Sequence, residues 1–154
     1  LVESDKKAVD FCTAGQNILV VPQNSEFLSS NVERGSILAP VKHSCSSSDC
    51  FEAEISTFDL DNPILFGSEV LIYIHGMELV VKISKLYSSK SALNPQDVGK
   101  NLPRMINSNS IAIIELKCST PIPSDTFESV NQLGIFLLRS RGTTIATGRV
   151  LKIK

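Results

Sequence analysis

Apolar residues recur at every second position along much of this chain, the spacing of half-buried β-strands. Across residues 50–58, Phe51, Ala53, Ile55 and Thr57 alternate with Glu52, Glu54 and Ser56, which predicts a strand with one face in a core. Residues 69–75 and 78–86 are rich in Val, Ile and Leu and flank Gly76-Met77, so two further strands are expected there. Another covers 111–118. The chain ends in two β-rich runs, 134–140 and 143–153, around Ser140-Arg141-Gly142, the signature of a hairpin. In the last run Ile145, Thr147, Arg149, Leu151 and Ile153 share one parity, and Arg149 interrupts this otherwise apolar face. Ala146, Gly148, Val150 and Lys152 share the other.

The first forty residues are less regular. Residues 8–11 and 17–21 read as short strands either side of the turn-rich stretch Cys12-Thr13-Ala14-Gly15-Gln16. Residues 23–31 are polar, 32–38 resume a strand, and Pro40 closes it. The serine-rich stretch 43–49 then reads as a linker and domain boundary. Residues 87–109, with Pro95, Gly99 and Pro103, read as a long polar insertion. Pro121 and Pro123 mark a connection, with one helical turn expected at 124–129 and Ser124 as its cap. Six strands after residue 50, separated by Gly or Pro and without a convincing helix, predict an all-β fold: an antiparallel barrel or sandwich.

The length of 154 residues allows one domain or two small ones with a real core. A formal net charge of −1 gives no global pull toward nucleic acid or a membrane surface. Locally, Lys117, Arg139, Arg141, Arg149, Lys152 and Lys154 gather near the C-terminus, where a solvated strand face is expected ahead of a phosphate site. No apolar run reaches the roughly eighteen residues a membrane helix needs, so no membrane partner is expected. The first residues lack a signal-peptide layout and an initiating Met, which suggests a piece of a longer protein. The irregular spacing of Cys12, Cys45, Cys50 and Cys118 favours reduced thiols and a cytoplasmic location.

Few residues suggest chemistry. His43, Cys45 and Cys50 lack the second ligand pair that a structural zinc site needs, so no metal is expected. His43 and His75 build no triad, and His75, at the end of an apolar strand, reads as a core or rim histidine. The i,i+2 pairs Glu52/Glu54 and Asp59/Asp61 read as solvated strand edges. No phosphate loop or nucleophile elbow is present. The expectation is a chain with no catalytic residue, cofactor or metal of its own.

A resemblance adds to this. Leu133, Gly134, Phe136, Leu138, Arg139, Gly142, Thr144, Ile145, Ala146, Gly148 and Val150 resemble the closing hairpin of the third domain in translational GTPases of the elongation factor Tu/elongation factor 1-alpha superfamily. Ile135 stands where that pattern usually has arginine. Ala14-Gly15-Gln16-Asn17 and Arg34-Gly35-Ser36-Ile37-Leu38 resemble late segments of the second domain. Phe51-Glu52-Ala53-Glu54-Ile55 resembles the opening strand of the third, with Gly67 at the following turn and His75 where eukaryotic members often have histidine.

The resemblance implies residues 1–40 from the end of a domain II barrel, a linker at 41–49, and a six-stranded Greek-key domain III β-barrel at 50–154. A GTP-binding domain would lie upstream. Phe58, Pro63-Ile64, Glu115-Leu116 and Pro121-Ile122-Pro123 look most like the ribosome-rescue and superkiller branch. That branch implies a non-catalytic binding platform in cytoplasmic mRNA surveillance, nonstop and no-go decay included. Its partners would be a Pelota-like release-factor relative, the exosome/superkiller complex and the ribosome, ahead of tRNA. Arg139, Arg141 and Arg149 are the expected partner-binding residues, unless they dock the barrel onto the GTPase domain. The alternatives are the C-terminal domains of a tRNA-delivering elongation factor 1-alpha-like protein or of a class II release factor. A stand-alone barrel enzyme would need a convergent polar pocket.

Overall fold

In a computed structural model, which describes residues 2–4, 7–21, 32–91 and 103–154, the chain divides into two compact units, Leu1–Glu33 and Arg34–Lys154. The first holds a small antiparallel sheet of order β2-β1-β3, from β1 (Val2–Ser4), β2 (Lys7–Val9) and β3 (Leu19–Val20). The expected strands at 8–11 and 17–21 are shortened to β2 and β3, and β1 had no signal.

The second unit is a closed barrel of β4 (Ser46–Thr57), β6 (Glu69–Ile74), β7 (Met77–Ser91), β9 (Ser110–Ser124), β10 (Ile135–Ser140) and β11 (Thr143–Ile153). The order around the barrel is β10-β11-β4-β9-β7-β6, antiparallel at every pairing. Three consecutive strands, β6, β7 and β9, lie side by side, and β4 crosses over to pair with β9. That is a Greek key. At one end β5 (Ile64–Leu65) and β8 (Met105–Ile106) form a two-stranded flap.

Several expected boundaries move. Residues 32–38 form no strand and instead turn at Arg34-Gly35. The stretch expected to be a linker becomes a short 3-10 turn at Val41–His43 and then β4 from Ser46. Here Ser46, Ser47 and Ser48 pair with Ser124, Pro123 and Ile122, so a partner strand overrides weak local propensity. β7 likewise runs to Ser91, into the expected insertion, because Ser88–Ser91 pair with the apolar 110–113 stretch of β9. Of that insertion, residues 92–102 lie outside the described residues. Ser124 caps no helix; it ends β9, and the turn that follows is organised by Thr126, whose hydroxyl accepts from the Ser129 amide.

Phe51, Ala53, Ile55 and Thr57 all face inward, as their alternation predicts. β11 reverses its apparent preference. The small residues Ala146 and Gly148, with Val150, are fully buried, while Arg149 and Leu151 face out. The reason is volume. Phe136 and Phe51 meet edge-on with ring centroids 5.9 Å apart, and Gly148 lies opposite Phe136 in the β10–β11 register. A Cβ on Gly148 would stand 2.3 Å from the Phe136 ring.

Outside the core, one carboxylate ties three strands together. Glu115 points away from the barrel interior yet is buried. Ser84 Oγ donates to it at 2.8 Å and Tyr87 OH at 3.0 Å, with Lys85 Nζ at 3.3 Å and Lys154 Nζ in direct contact. Ser48 Oγ donates to the Lys154 carbonyl at 2.6 Å, fixing the end of β11 to β4. The Lys154 ammonium, against burial and helped by the Ser84, Tyr87 and Lys85 donors, lowers the Glu115 pKa from 4.5 to about 2.

Two predictions follow from packing and charge. Gly148→Ala should destabilise the barrel by about 1–3 kcal/mol, because the Phe136 ring has no free volume to enter, as chemical denaturation will measure. A depressed carboxyl pKa adds stability above the unfolded value, lost as pH falls toward the folded one. Stability should therefore decline between about pH 4.5 and 2 through Glu115, and Glu115→Gln should lower stability at pH 7 and flatten that decline. An unchanged pH profile in the variant would assign the acid sensitivity elsewhere.

Candidate partner-binding surface

β-strands present alternate side chains outward, so the outer wall of the barrel is set by register. On β10 the outward residues are Ile135, Leu137 and Arg139. Leu137 pairs with Tyr73 of β6 on one side and Thr147 of β11 on the other. Arg139 pairs with Leu71, which pairs in turn with Val80 of β7. Val80, Leu71, Tyr73, Leu137 and Ile135 thus form a continuous apolar stripe across three strands, β7, β6 and β10. Ile135, Leu137 and Val80 are 46%, 42% and 47% exposed, far more than a core-facing position tolerates.

The arginines expected from sequence are divided by the structure. Arg139 and Arg149 both stand on this wall. Arg139 lies over the Tyr73 ring, 5.3 Å from its centroid, and donates to the Gly142 carbonyl. Its Nε is buried without a partner among the described residues. Arg149 pairs with Glu54 at 2.9 Å and stacks 5.6 Å from the Phe127 ring centroid. Arg141 is elsewhere. It occupies the tip of the β10–β11 hairpin, exposed, with φ at 49°, and faces a cleft at the barrel end.

Arg149 is therefore already ion-paired and stacked, and Arg139 is stacked and bonded to a backbone carbonyl. Double engagement of this kind holds a guanidinium in place and neutralises part of its charge. Glu78 lies opposite Tyr73, and its hydrogen bond, with burial assisting, raises the phenol pKa while Arg139 opposes it. The wall is apolar, with Arg149 compensated by Glu54 and Arg139 held over the Tyr73 ring at its margins. Sequence reasoning missed Leu71, Tyr73 and Val80, because they are exposed members of strands whose composition reads as core.

The other candidates form no reactive constellation. His75 takes a left-handed backbone at φ 51° beside Gly76, and burial lowers its pKa against a bond to the Pro123 carbonyl. Its Nε2 is buried without a hydrogen-bond partner among the described residues, so it is less completely satisfied than a core histidine should be. Cys45 Sγ donates to the Ser124 carbonyl at 3.1 Å, and all four cysteines are free thiols. Burial raises the Cys45 pKa, with Asp125 adding to it, and raises Cys118 to about 11. Neither is an activated nucleophile. Among the described residues no group of His, Cys, Asp or Glu is arranged to hold a metal ion.

Comparison with known proteins agrees with the barrel's topology. The family described as GTP-eEF1A C-terminal domain-like matches residues 50–151. Protein HBS1 of Drosophila melanogaster is 32% identical over 124 residues, covering 80% of this chain and 18% of that protein. The eukaryotic peptide chain release factor GTP-binding subunit of Schizosaccharomyces pombe is 30% identical over the same length, with the same coverage. A crystal structure of sup35 complexed with GMPPNP superposes with a TM-score of 0.85 at 25% identity, over 99% of this chain and 36% of that one. The chain spans about a fifth to a third of the length of these relatives. From residue 50 onward the six antiparallel strands, the Greek-key crossover and the closing hairpin are those of one family: the chain belongs to the GTP-eEF1A C-terminal domain-like family, the C-terminal barrels of elongation factor 1-alpha-like translational GTPases.

Proposed function

We propose that this chain is a non-catalytic partner-binding platform of a translational GTPase-like protein acting in cytoplasmic mRNA surveillance and ribosome rescue. Nucleotide binding belongs, in this reading, to a GTP-binding domain elsewhere in the protein. The partner is a Pelota-like release-factor relative at the ribosome, or a link to the exosome/superkiller complex. Similarity to HBS1 and to a release-factor subunit supports the translational setting.

The observation that carries the platform reading is the wall itself. A surface that binds RNA phosphates presents unpaired cations, and its affinity falls steeply with salt. This wall presents Ile135, Leu137 and Val80, with Arg149 paired to Glu54 and Arg139 bonded to Gly142. An apolar centre with charges at its margin is the anatomy of a protein interface. Ile135 in place of arginine deepens that character, because the residue facing Arg149 across the β10–β11 pair is apolar and exposed.

The test is binding of purified Pelota-like factor to the GTPase-like protein carrying this barrel, by calorimetry. Ile135→Asp with Leu137→Asp should weaken the complex by about 100-fold, as loss of a buried interface anchor does, while leaving the barrel folded. Raising salt should change affinity only modestly. Tight binding of aminoacyl-tRNA with a steep salt dependence, and none of the protein, would replace this reading with tRNA delivery.

A further inference from the structure

A second recess lies at the end of the barrel where the β10–β11 hairpin turns. It encloses about 710 Å³. Its floor is apolar, from the buried Ile64 of β5 and Val70 of β6, and Leu65 stands at its lip, 53% exposed. Its walls carry carboxylates from two separate elements: Asp59 and Asp61 on the loop after β4, and Glu69 at the start of β6. Arg141 enters from the hairpin tip.

The charges do not cancel. None of the three carboxylates makes an ion pair or hydrogen bond with its side chain among the described residues. Lys82 lies opposite Glu69 in the β6–β7 register, outside the recess lining, and among the described residues Arg141 is the single cation that lines it. At pH 7 the recess therefore carries a net negative charge over a hydrophobic floor, a combination that repels anions and polyanionic RNA. Asp59 and Asp61, either side of Leu60, both line the recess from the loop after β4.

We propose that this groove is a docking site for a basic peptide segment, which seats one aliphatic or aromatic side chain on Ile64 and Val70 and sets flanking Lys or Arg against Asp59, Asp61 and Glu69. Arg141 competes for the same carboxylates and limits the affinity until the segment displaces it. The groove opens at the barrel end and the apolar wall lies on its side, so this site stands independently of the proposed platform.

The experiment pans a random dodecapeptide phage library on the 154-residue chain and measures selected peptides by fluorescence polarisation. Enriched peptides should carry at least two basic residues flanking an apolar one. Their affinity should fall about tenfold on Asp59→Asn with Asp61→Asn, chiefly through slower association and with a weaker salt dependence, as removal of exposed rim charges does. Glu69→Gln should weaken them from a different strand, and Arg141→Ala should tighten them. The Asp59 and Asp61 side chains are exposed and make no hydrogen bond or ion pair among the described residues, so the double variant should melt as the parent does. Failure to enrich any peptide, enrichment of peptides without basic residues, or equal binding to the Asn and Gln variants would overturn the proposal.

Discussion

Closure of the barrel by β10 is the constraint on which the rest of the unit depends. β6 and β11 each have one other partner, and without β10 both would be open edges, prone to pairing with other chains. The closing seam to β6 holds only three register pairs, Leu137–Tyr73, Leu138–Ile72 and Arg139–Leu71. Such a short seam needs support from packing. Phe136 supplies it by reaching across the interior to Phe51 while occupying the space that Gly148 leaves empty. A second tight approach helps: a Cβ on Gly134 would meet the Phe127 backbone nitrogen at 2.5 Å. The glycine lets the strand entering the seam pass against the preceding loop. Leu133-Gly134 and Gly148 are thus packing requirements before they are family markers.

The same seam decides the outer surface. Because Leu138 must face the core beside Ile72, Leu137 and Tyr73 must face out together, and Arg139 follows over the Tyr73 ring. The apolar stripe is a by-product of closing the barrel at this register. A one-residue slip would invert it. The proposed binding surface and barrel closure are therefore coupled through one strand, and substitutions of inward residues on β10 will disturb both.

Much of this architecture was legible in the sequence, and the parts that were not share a physical cause. β4 showed its inward set plainly because both of its central partners are long strands and its outer face is charged. β9 was read as ending at Cys118, since Pro121 and Pro123 argue against a strand interior. Beyond Cys118, however, β9 pairs only with β4, so its other side is free and missing amide donors there break no ladder. The polar end of β7 was hidden for the mirror-image reason: Ser88–Ser91 have little β-propensity and are held by the apolar strand beside them. β11 misled through parity, because its bulky residues face out and its small ones face the phenylalanines. None of these errors concerns strand existence in the barrel; all concern what a neighbouring strand imposes.

The candidate surfaces were less visible, because each is assembled across the chain. Arg139, Arg141 and Arg149 look equivalent in sequence, but a left-handed residue at the hairpin tip sends Arg141 to the barrel end while strand alternation keeps the others on the wall. Asp59/Asp61 reads as a solvated edge until Glu69 is brought alongside over Ile64 and Val70. Glu115 was invisible for a different reason. A lone carboxylate in an apolar strand signals nothing until Ser84, Tyr87, Lys85 and the distant Lys154 converge on it. The three polar clusters then differ in kind. Glu115 is saturated with donors and so is structural; Arg149 is compensated by Glu54 and frames an apolar interface. Asp59, Asp61 and Glu69 outnumber the one cation they face, and that residual charge is what makes their groove a recognition surface rather than a structural one.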